Sequence, residues 1–234
     1  MATIKVTCNH CHRSDDVVKN GKARSGMQRF LCRLCGKSFQ LDYLYNANLP
    51  GTHEKIVQLT HNGSGVRGIE RLLAISRTTV IAHLKKLSPP QVTQLPFDQT
   101  KVELICEMDE QWSFVGNKKN QRWLWYGWEA RCKRIIAHAF GRRTEATLKK
   151  LLKLLAPYPF KFYCTDDWKS YKSCLPEECH IVGKFFTQRI ERQNLNFRTR
   201  LKRLARRTIC FSRSEEVHDK VIGEFIAREH YQPL

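Results

Sequence analysis

Residues 102–112 are Val-Glu-Leu-Ile-Cys-Glu-Met-Asp-Glu-Gln-Trp, and their pattern is the main indication of the fold class of the second half of the chain. Apolar Cys106 and Met108 alternate with acidic Glu107 and Asp109. Alternation with a period of two predicts a β-strand with one buried face. We expect Asp109 to lie at the end of this strand, with its carboxylate at an edge of a sheet.

The segments that follow predict the rest of a sheet. Residues 122–129 are rich in Trp and Tyr, residues 134–140 are apolar and β-branched, and both predict strands. Leucines at i, i+3, i+4 and i+7 over 148–155 predict an amphipathic helix, and residues 160–165 predict another short strand. The order β-β-β-α-β, followed by helices, indicates an α+β or α/β domain with a mixed sheet covered by helices.

Three acidic residues are candidates for a catalytic metal site. Asp109 and Asp166 each follow a predicted strand, and Glu191 is the only acid in a segment, 184–213, that holds ten lysines and arginines. Carboxylates at the ends of neighbouring parallel strands converge at one edge of a sheet, and a helix crossing that edge adds a third. Such a cluster holds Mg²⁺ with open positions for phosphate and water. The alternative is that each acid is a solvated turn residue or an ion-pair partner.

Four cysteines predict a structural metal centre near the N-terminus. Cys8 and Cys11 form one C-x-x-C pair, and Cys32 and Cys35 form a second pair. Two such pairs on tight turns close a tetrahedral Cys₄ zinc site, and a closed shell leaves no position for substrate. The alternative is two unrelated pairs of reactive or buried thiols.

Residues 53–86 predict a helix-turn-helix. Helices are expected over 53–61, 66–74 and 78–86, with Val80, Ile81 and Leu84 directed inward. The alternative is an ordinary three-helix packing unit. The candidates for contact with bases and phosphates are Arg77, Thr78, Thr79, His83 and Lys85.

The charge balance points to a polyanionic partner. Among 234 residues there are 41 Lys+Arg and 22 Asp+Glu, a net charge of +19, so nucleic acid or an anionic membrane surface is the expected partner. Twelve Phe, seven Tyr and five Trp argue against disorder, and no apolar stretch is long enough to span a membrane. The basic segment is expected to hold the DNA backbone or, alternatively, to be a solvated helix face. Its cations are Arg189, Arg192, Arg198, Arg200, Lys202, Arg203, Arg206 and Arg207.

Several motifs, taken in order, resemble the insertion sequence 1 family of bacterial transposases. They are the cysteine quartet, Pro50-Gly51-Thr52-His53, residues 107–112, Thr165-Asp166-Asp167-Trp168, residues 187–192 and residues 217–223. The resemblance implies an N-terminal zinc ribbon, a helix-turn-helix, an RNase H-like domain and cut-and-join chemistry on the terminal inverted repeats of the element. It implies an Asp109, Asp166 and Glu191 triad that holds Mg²⁺ or Mn²⁺, two ions in all. The family has Gly where this chain has Asp167, so Asp167 stands beside Asp166 as an alternative second carboxylate.

The predicted organisation has four parts. They are a zinc ribbon at 1–50, a helix-turn-helix at 51–87, a proline-containing linker at 88–100 and a catalytic domain at 101–234. The resemblance implies double-stranded DNA, both element ends and target, as partner, at least a dimer on that DNA, no membrane, and a place on the nucleoid in a prokaryotic cytoplasm. Two other functions stay open: a transcription regulator whose second half only oligomerises, and an RNase H-like nuclease that cuts without joining.

Overall fold

The structure, a computed structural model, describes residues 5–94, 104–183 and 188–232. It begins with a small antiparallel sheet in the order β1-β2-β3, formed by Val17–Lys22, Gln28–Cys32 and Ser38–Gln40. Its core holds two stacked rings, Phe30 and Phe39, with centroids 5.7 Å apart, beside the buried Cys8 and Cys32. So small a core cannot sustain a fold alone, which points to stabilisation by a metal.

Three helices follow, within one residue of the predicted bounds: α1 (Thr52–His61), α2 (Val66–Leu73) and α3 (Arg77–Lys85). The α3 helix begins after Ser76, whose side chain accepts a hydrogen bond from the Thr79 backbone N–H. Val80 and Leu84 are buried, as predicted, but Ile81 is 39% exposed. The prediction for Ile81 was wrong because the buried stripe of α3 follows i, i+4 spacing, and the next residue lies about 100° further round the helix.

The second half of the chain forms the predicted mixed sheet. Its strands are β4 (Leu104–Val115), β5 (Asn117–Glu129), β6 (Arg134–Gly141), β7 (Phe160–Thr165) and β8 (His180–Val182). The spatial order is β6-β5-β4-β7-β8, antiparallel from β6 to β4 and parallel from β4 to β8. With helices on both faces, this topology is that of an RNase H-like domain.

The sheet is buried on both sides. The helices α4 (Glu145–Leu155) and α5 (Lys169–Cys174) pack on one face, over Met108, Trp125 and Ile136. The helices α6 (Gln188–Arg200) and α7 (Glu215–His230) pack on the other face, over Tyr126 and Ile135. Successive strand residues point to opposite faces, so Glu107 and Asp109 lie on the α6 side of β4.

Asp109 lies in the middle of β4 and not at its end, which corrects the prediction. The β4 strand continues to Val115 in antiparallel pairing with β5, while its parallel pairing with β7 is recorded only as far as Glu107 opposite Cys164. Both faces of β4 are covered, so the alternation that marks its first half fades after Asp109. Asp109 therefore lies where β4 extends beyond the end of its parallel neighbour.

The helix-turn-helix packs directly on the RNase H-like domain. Val221 of α7 is 1% exposed and belongs to the core formed by α1, α2 and α3, and Arg228 of α7 forms an ion pair with Glu54 of α1. Residues 91–93, within the segment predicted as a linker, hydrogen-bond to the edge of β6. Residues 95–103 lie outside the described residues. None of the helices in the described ranges has the length and apolar character that a membrane span requires.

Candidate active site and metal centre

The four N-terminal cysteines converge on one point. Their Sγ atoms all lie within 4.8 Å of one another, and the Cys8–Cys35 and Cys11–Cys32 Sγ pairs are each 3.7 Å apart. That separation is far too long for a disulfide. Four sulfurs at about 2.3 Å from a central ion in tetrahedral geometry are about 3.8 Å from one another. The observed spacing therefore fits one tetrahedral metal ion.

The surroundings of the quartet act differently on its thiols. The backbone N–H of His10 donates to Cys8 Sγ at 3.4 Å. Burial raises the pKa of the Cys8 thiol, but backbone donors from Cys11 and His10 outweigh this effect and bring the pKa down to about 7. A backbone hydrogen bond lowers the pKa of Cys35, but burial and the neighbouring thiols outweigh it and raise that pKa to about 11, and the pKa of Cys11 is raised as well. A metal ion requires deprotonated sulfur, so binding one would release protons from these two thiols.

Asp109 occupies a half-buried position on the α6 side of the sheet. Its Oδ1 accepts a hydrogen bond from the Glu110 backbone N–H at 2.7 Å, and its Oδ2 accepts one from Asn194 Nδ2 at 2.5 Å. Burial, followed by the negative charges of Glu110 and Asp166, raises the pKa of Asp109 to about 7. A carboxylate that resists ionisation in this way lacks a compensating cation, and a divalent ion would supply one.

Asp166 follows the last residue of β7, and its negative charge contributes to the raised pKa of Asp109. Extending the register of Glu107 opposite Cys164 by two residues places Asp166 level with Asp109 on the neighbouring strand. Asp166 is exposed, and its Oδ1 accepts from the Trp168 backbone N–H at 3.1 Å. The adjacent Asp167 instead forms an ion pair with Lys172 at 2.6 Å. The structure thus brings Asp166 towards Asp109 and engages Asp167 elsewhere.

Glu191 lies in the first turn of α6 and is exposed. No contact of Glu191 with Asp109 or Asp166 is recorded among the described residues, and within those ranges the only group of three or more metal-binding side chains in close contact is the cysteine quartet. Glu191 is three positions before Asn194, and residues at i and i+3 lie on one face of a helix, about 5–6 Å apart at Cβ. Glu191 is therefore about one helical turn from the contact that Asn194 makes with Asp109.

Two residues near the carboxylates carry contacts that the sequence did not reveal. Glu107, on the same face of β4 as Asp109, accepts a hydrogen bond from the Ile190 backbone N–H at 3.1 Å. Burial raises the pKa of Glu107 to about 7. Asn194 joins Asp109 to Tyr126. Glu107 lies two residues before Asp109 in the strand, and Asn194 lies three residues after Glu191 in the helix. These spacings are the signals that could have identified both residues from the sequence.

Glu110 lies on the opposite face of β4, close to several aromatic side chains. Glu110 accepts from Arg143 at 2.7 Å and from the Tyr171 hydroxyl at 2.8 Å, and burial raises the pKa of Glu110. The Arg143 guanidinium lies 5.2 Å from the ring centre of Trp123 and 5.1 Å from that of Trp168. These contacts brace α5 and the Trp168 loop beside Asp166.

The predicted DNA contacts on α3 occupy its N-terminal and outer positions. Arg77 forms an ion pair with Glu70 at 3.2 Å, and the Thr78 and Thr79 hydroxyls lie 2.8 Å from Ser76 Oγ. His83 Nδ1 is 3.0 Å from His53 Nδ1, and Lys85 is exposed.

The predicted DNA contacts at 189–203 divide into two groups. Arg189 and Arg192 are exposed at the start of α6, near Glu191. Arg200 forms two hydrogen bonds to Glu229, and Arg203 donates to Ser212 Oγ at 3.0 Å. Arg198 is half-buried. Arg200 and Arg203 therefore have partners within the protein, and Arg189 and Arg192 are the more accessible cations.

A helix-turn-helix packed on an RNase H-like sheet is the architecture of an enzyme of the nuclease and transposase class. Residues 103–232 match the family model described as IS1 transposase. Residues 43–88 and 1–36 match the models for the C-terminal and N-terminal domains of InsA. Since the first match alone covers more than half of the chain, the chain belongs to the IS1 transposase family.

Its relatives include InsB proteins of insertion elements. The InsB protein of iso-IS1n from Shigella dysenteriae is 55% identical over 128 residues, which are 55% of this chain and 98% of that protein. InsB proteins of IS1 copies in Escherichia coli K12 are 48% identical over 149 residues, which are 64% of this chain and 89% of theirs.

One solved structure is similar at a lower level. A chain from the cryoEM structure of the simian T-cell lymphotropic virus intasome, in complex with the PP2A regulatory subunit B56 gamma, is 14% identical to this chain. The match covers 78% of this chain and 70% of that chain, with a TM-score of 0.40. A TM-score this low supports no inference about function.

Proposed function

We propose that this transposase binds the terminal inverted repeats of its own insertion sequence and cuts and joins DNA strands at a divalent-metal site formed by Asp109, Asp166 and Glu191. The observation that carries the proposal is the position of Asp109, half-buried and within electrostatic reach of Asp166 at the end of the next parallel strand. Glu191 completes the set from the first turn of the helix that contacts Asp109.

The carboxylates fit a metal-dependent phosphoryl transfer site. Two bound Mg²⁺ or Mn²⁺ ions would supply Lewis-acid stabilisation of the scissile phosphate and would lower the pKa of the attacking oxygen. Asp109 and Asp166 would hold them from the sheet, and Glu191 from the helix. Asn194 and the Glu110 backbone N–H keep the Asp109 carboxylate in one orientation.

The proposed reaction has two balanced steps at one site. In the first, water attacks the phosphorus at the element end, the P–O3′ bond breaks, and the 3′ oxygen leaves as a free 3′-OH. In the second, that 3′-OH attacks a target phosphate and displaces the target's own 3′ oxygen. One phosphodiester bond forms as another breaks, so joining needs no external energy source.

The DNA-binding surfaces have separate roles in this proposal. The outer face of α3, with Arg77, Thr78, Thr79, His83 and Lys85, reads the element ends in the major groove. Arg189 and Arg192 hold the phosphate backbone beside the carboxylates, which positions the strand and lends no sequence specificity. Two ends must be joined to one target, so the protein acts on the nucleoid as at least a dimer, bound to both ends.

The cysteine quartet holds one structural zinc ion in this proposal. Thiolates are the ligands that zinc prefers in closed tetrahedral sites, and the 3.7 Å sulfur spacing suits it. The ion replaces the hydrophobic core that the three-stranded sheet lacks.

A strand-transfer assay tests the proposed function. The purified full chain is incubated with Mg²⁺, a labelled DNA carrying the element's ends and an unlabelled target. Cleavage that leaves a 3′-OH, followed by joining to the target, is expected with these ends and not with scrambled ends. Cleavage without joining would support the nuclease, and binding without cleavage the transcription regulator.

A further inference from the structure

We propose that Asn194 is a positioning residue: its side-chain amide, oriented by the hydroxyl of Tyr126, holds the Asp109 carboxylate ready to bind metal. This inference rests on the proposed function, because it requires Asp109 to be a ligand of the catalytic ions. It adds two residues, Asn194 and Tyr126, to those that the reaction needs.

The contacts form a closed triangle between two strands and a helix. Asn194 is 7% exposed, and its Nδ2 donates to Asp109 Oδ2 at 2.5 Å. Its Oδ1 accepts from the Tyr126 hydroxyl at 2.8 Å. Tyr126 on β5 is also the antiparallel partner of Asp109 on β4, so the backbone register fixes the distance between the two residues that the amide joins.

The ionised, metal-binding form of Asp109 selects one orientation of the amide. That carboxylate can only accept hydrogen bonds, so it requires the Nδ2 donor, and Oδ1 is left to accept from the Tyr126 hydroxyl, which also lies 3.3 Å from the Ile190 carbonyl oxygen. Tyr126 remains a donor, because complete burial raises its pKa well above the usual range. Its ring is held edge-on against Phe197, with centroids 5.6 Å apart.

This arrangement fixes both oxygens of Asp109. Oδ1 is held by the Glu110 backbone N–H of its own strand, and Oδ2 is held by α6 through Asn194. Each carboxylate oxygen has two lone pairs, so each keeps one for a cation. The same contact sets the position of α6, and hence of Glu191, relative to Asp109. Residues that orient metal ligands in this way typically change metal affinity 10- to 100-fold when they are removed.

Mn²⁺ binding by the full chain, followed by electron paramagnetic resonance of the free ion, tests the proposal without relying on activity. We expect Asn194→Ala to weaken Mn²⁺ binding at the catalytic site about 10-fold or more. Tyr126→Phe, which keeps the ring and removes only the hydroxyl, should weaken binding about fivefold, the equivalent of one neutral hydrogen bond. Tyr126→Phe should add no further loss to Asn194→Ala, because its effect passes through the amide.

Gln193→Ala is the matched control. Gln193 is the preceding residue of α6 and is 9% exposed, and its Nε2 lies 3.3 Å from His230 Nε2, on the α7 side. The Gln193→Ala substitution removes a buried amide from the same helix and leaves the hydrogen bonds of Asp109 intact, so Mn²⁺ affinity should be unchanged. Asp109→Ala is the second reference and should eliminate binding at the site.

The outcomes separate this inference from the proposed function. Wild-type Mn²⁺ affinity in Asn194→Ala, or equal losses in Asn194→Ala and Gln193→Ala, overturns the positioning role. If Asn194→Ala does not fold, Tyr126→Phe decides, and wild-type affinity in that variant overturns the role. Wild-type affinity in Asp109→Ala refutes the proposed metal site itself. If Asp109→Ala loses Mn²⁺ binding while Asn194→Ala binds Mn²⁺ as well as the wild type, only the role of Asn194 is refuted.

Discussion

At the scale of single residues, two adjacent aspartates with the same chemistry have different surroundings. The Asp167 carboxylate forms an ion pair with Lys172, whereas the only recorded partner of the Asp166 carboxylate is a backbone N–H of its own loop, and its charge raises the pKa of Asp109. We therefore expect Asp166→Ala to eliminate strand cleavage and Asp167→Ala to retain it, because only the first removes a metal ligand. A cleavage assay on both variants measures this. If Asp167→Ala is inactive and Asp166→Ala is active, then Asp167, and not Asp166, is the second metal ligand.

The raised pKa of Asp109 predicts a dependence of stability on pH. The folded, metal-free protein keeps a proton on Asp109 that the unfolded chain loses near pH 4, so its contribution to stability falls as pH rises through about 7. Asp109→Asn carries no such charge. We expect its stability advantage over the wild type to grow by about 1–3 kcal/mol between pH 5 and 7.5.

Urea denaturation in EDTA-free, zinc-containing buffer without Mg²⁺ measures this difference. Glu107, whose pKa is also raised to about 7, is present in both proteins and cancels in the comparison. Added Mg²⁺ should reduce the advantage at pH 7.5, because the ion stabilises only the carboxylate. A gap that does not change with pH would contradict the buried position of Asp109.

At the level of secondary-structure elements, local patterns predicted helices α1 to α4 and strands β4 to β7, but not the long-range contacts of these elements. The α3 helix starts where Ser76 offers a cap, and β7 spans the predicted residues. The full length of β4 escaped prediction because its second half is buried on both faces. The Ile190–Glu107 hydrogen bond joins residues 83 positions apart, and no periodicity encodes such a contact.

The zinc ribbon has a very small hydrophobic core, so we expect its fold to depend on a bound ion. Metal binding contributes on the order of 10–16 kcal/mol in small zinc domains. We expect Cys32→Ser to unfold residues 5–40 and to eliminate end binding, while the RNase H-like domain keeps its own core. Metal analysis and proton exchange should show loss of zinc and of protection in the ribbon alone. Zinc-free wild-type protein that binds ends normally would contradict this.

The outer face of α3 gives a second prediction for an element. Lys85→Ala should weaken binding to the element ends about 5-fold or more, since it removes a cation placed to contact phosphate. Lys55→Ala, which removes the same charge from the exposed face of α1, should have less effect. Fluorescence anisotropy with labelled ends compares the two. Equal losses would mean that net charge alone, and not the α3 surface, determines affinity.

At the scale of the whole molecule, the helix-turn-helix and the RNase H-like domain share a core. Val221 of α7 packs among helices α1 to α3, and Arg228 reaches Glu54. Val221→Ala should therefore destabilise both parts together, by about 1–3 kcal/mol. Denaturation followed by helix signal and by tryptophan fluorescence, which reports on the sheet, should show coincident transitions. Separate transitions would indicate independent domains.

The net charge of +19 belongs to the same scale. If about six phosphates are neutralised, log K for DNA binding should fall against log[salt] with a slope of roughly −5. A slope near zero, measured by anisotropy over a range of salt concentrations, would mean that the excess of cations does not face the DNA.

We propose that Asp109, Asp166 and Glu191 form one catalytic site for cutting and joining. The most direct test measures end binding, cleavage and joining for Asp109→Ala, Asp166→Ala and Glu191→Ala in parallel. Each variant should bind ends as well as the wild type, because removing a negative charge from a basic surface does not weaken attraction to phosphate. Each should lose both cleavage and joining, and Glu191→Asp should also fail, since misplacement of about 1 Å can cost on the order of 100-fold in rate. Normal cutting and joining by all of these variants would contradict a catalytic site formed by these three carboxylates.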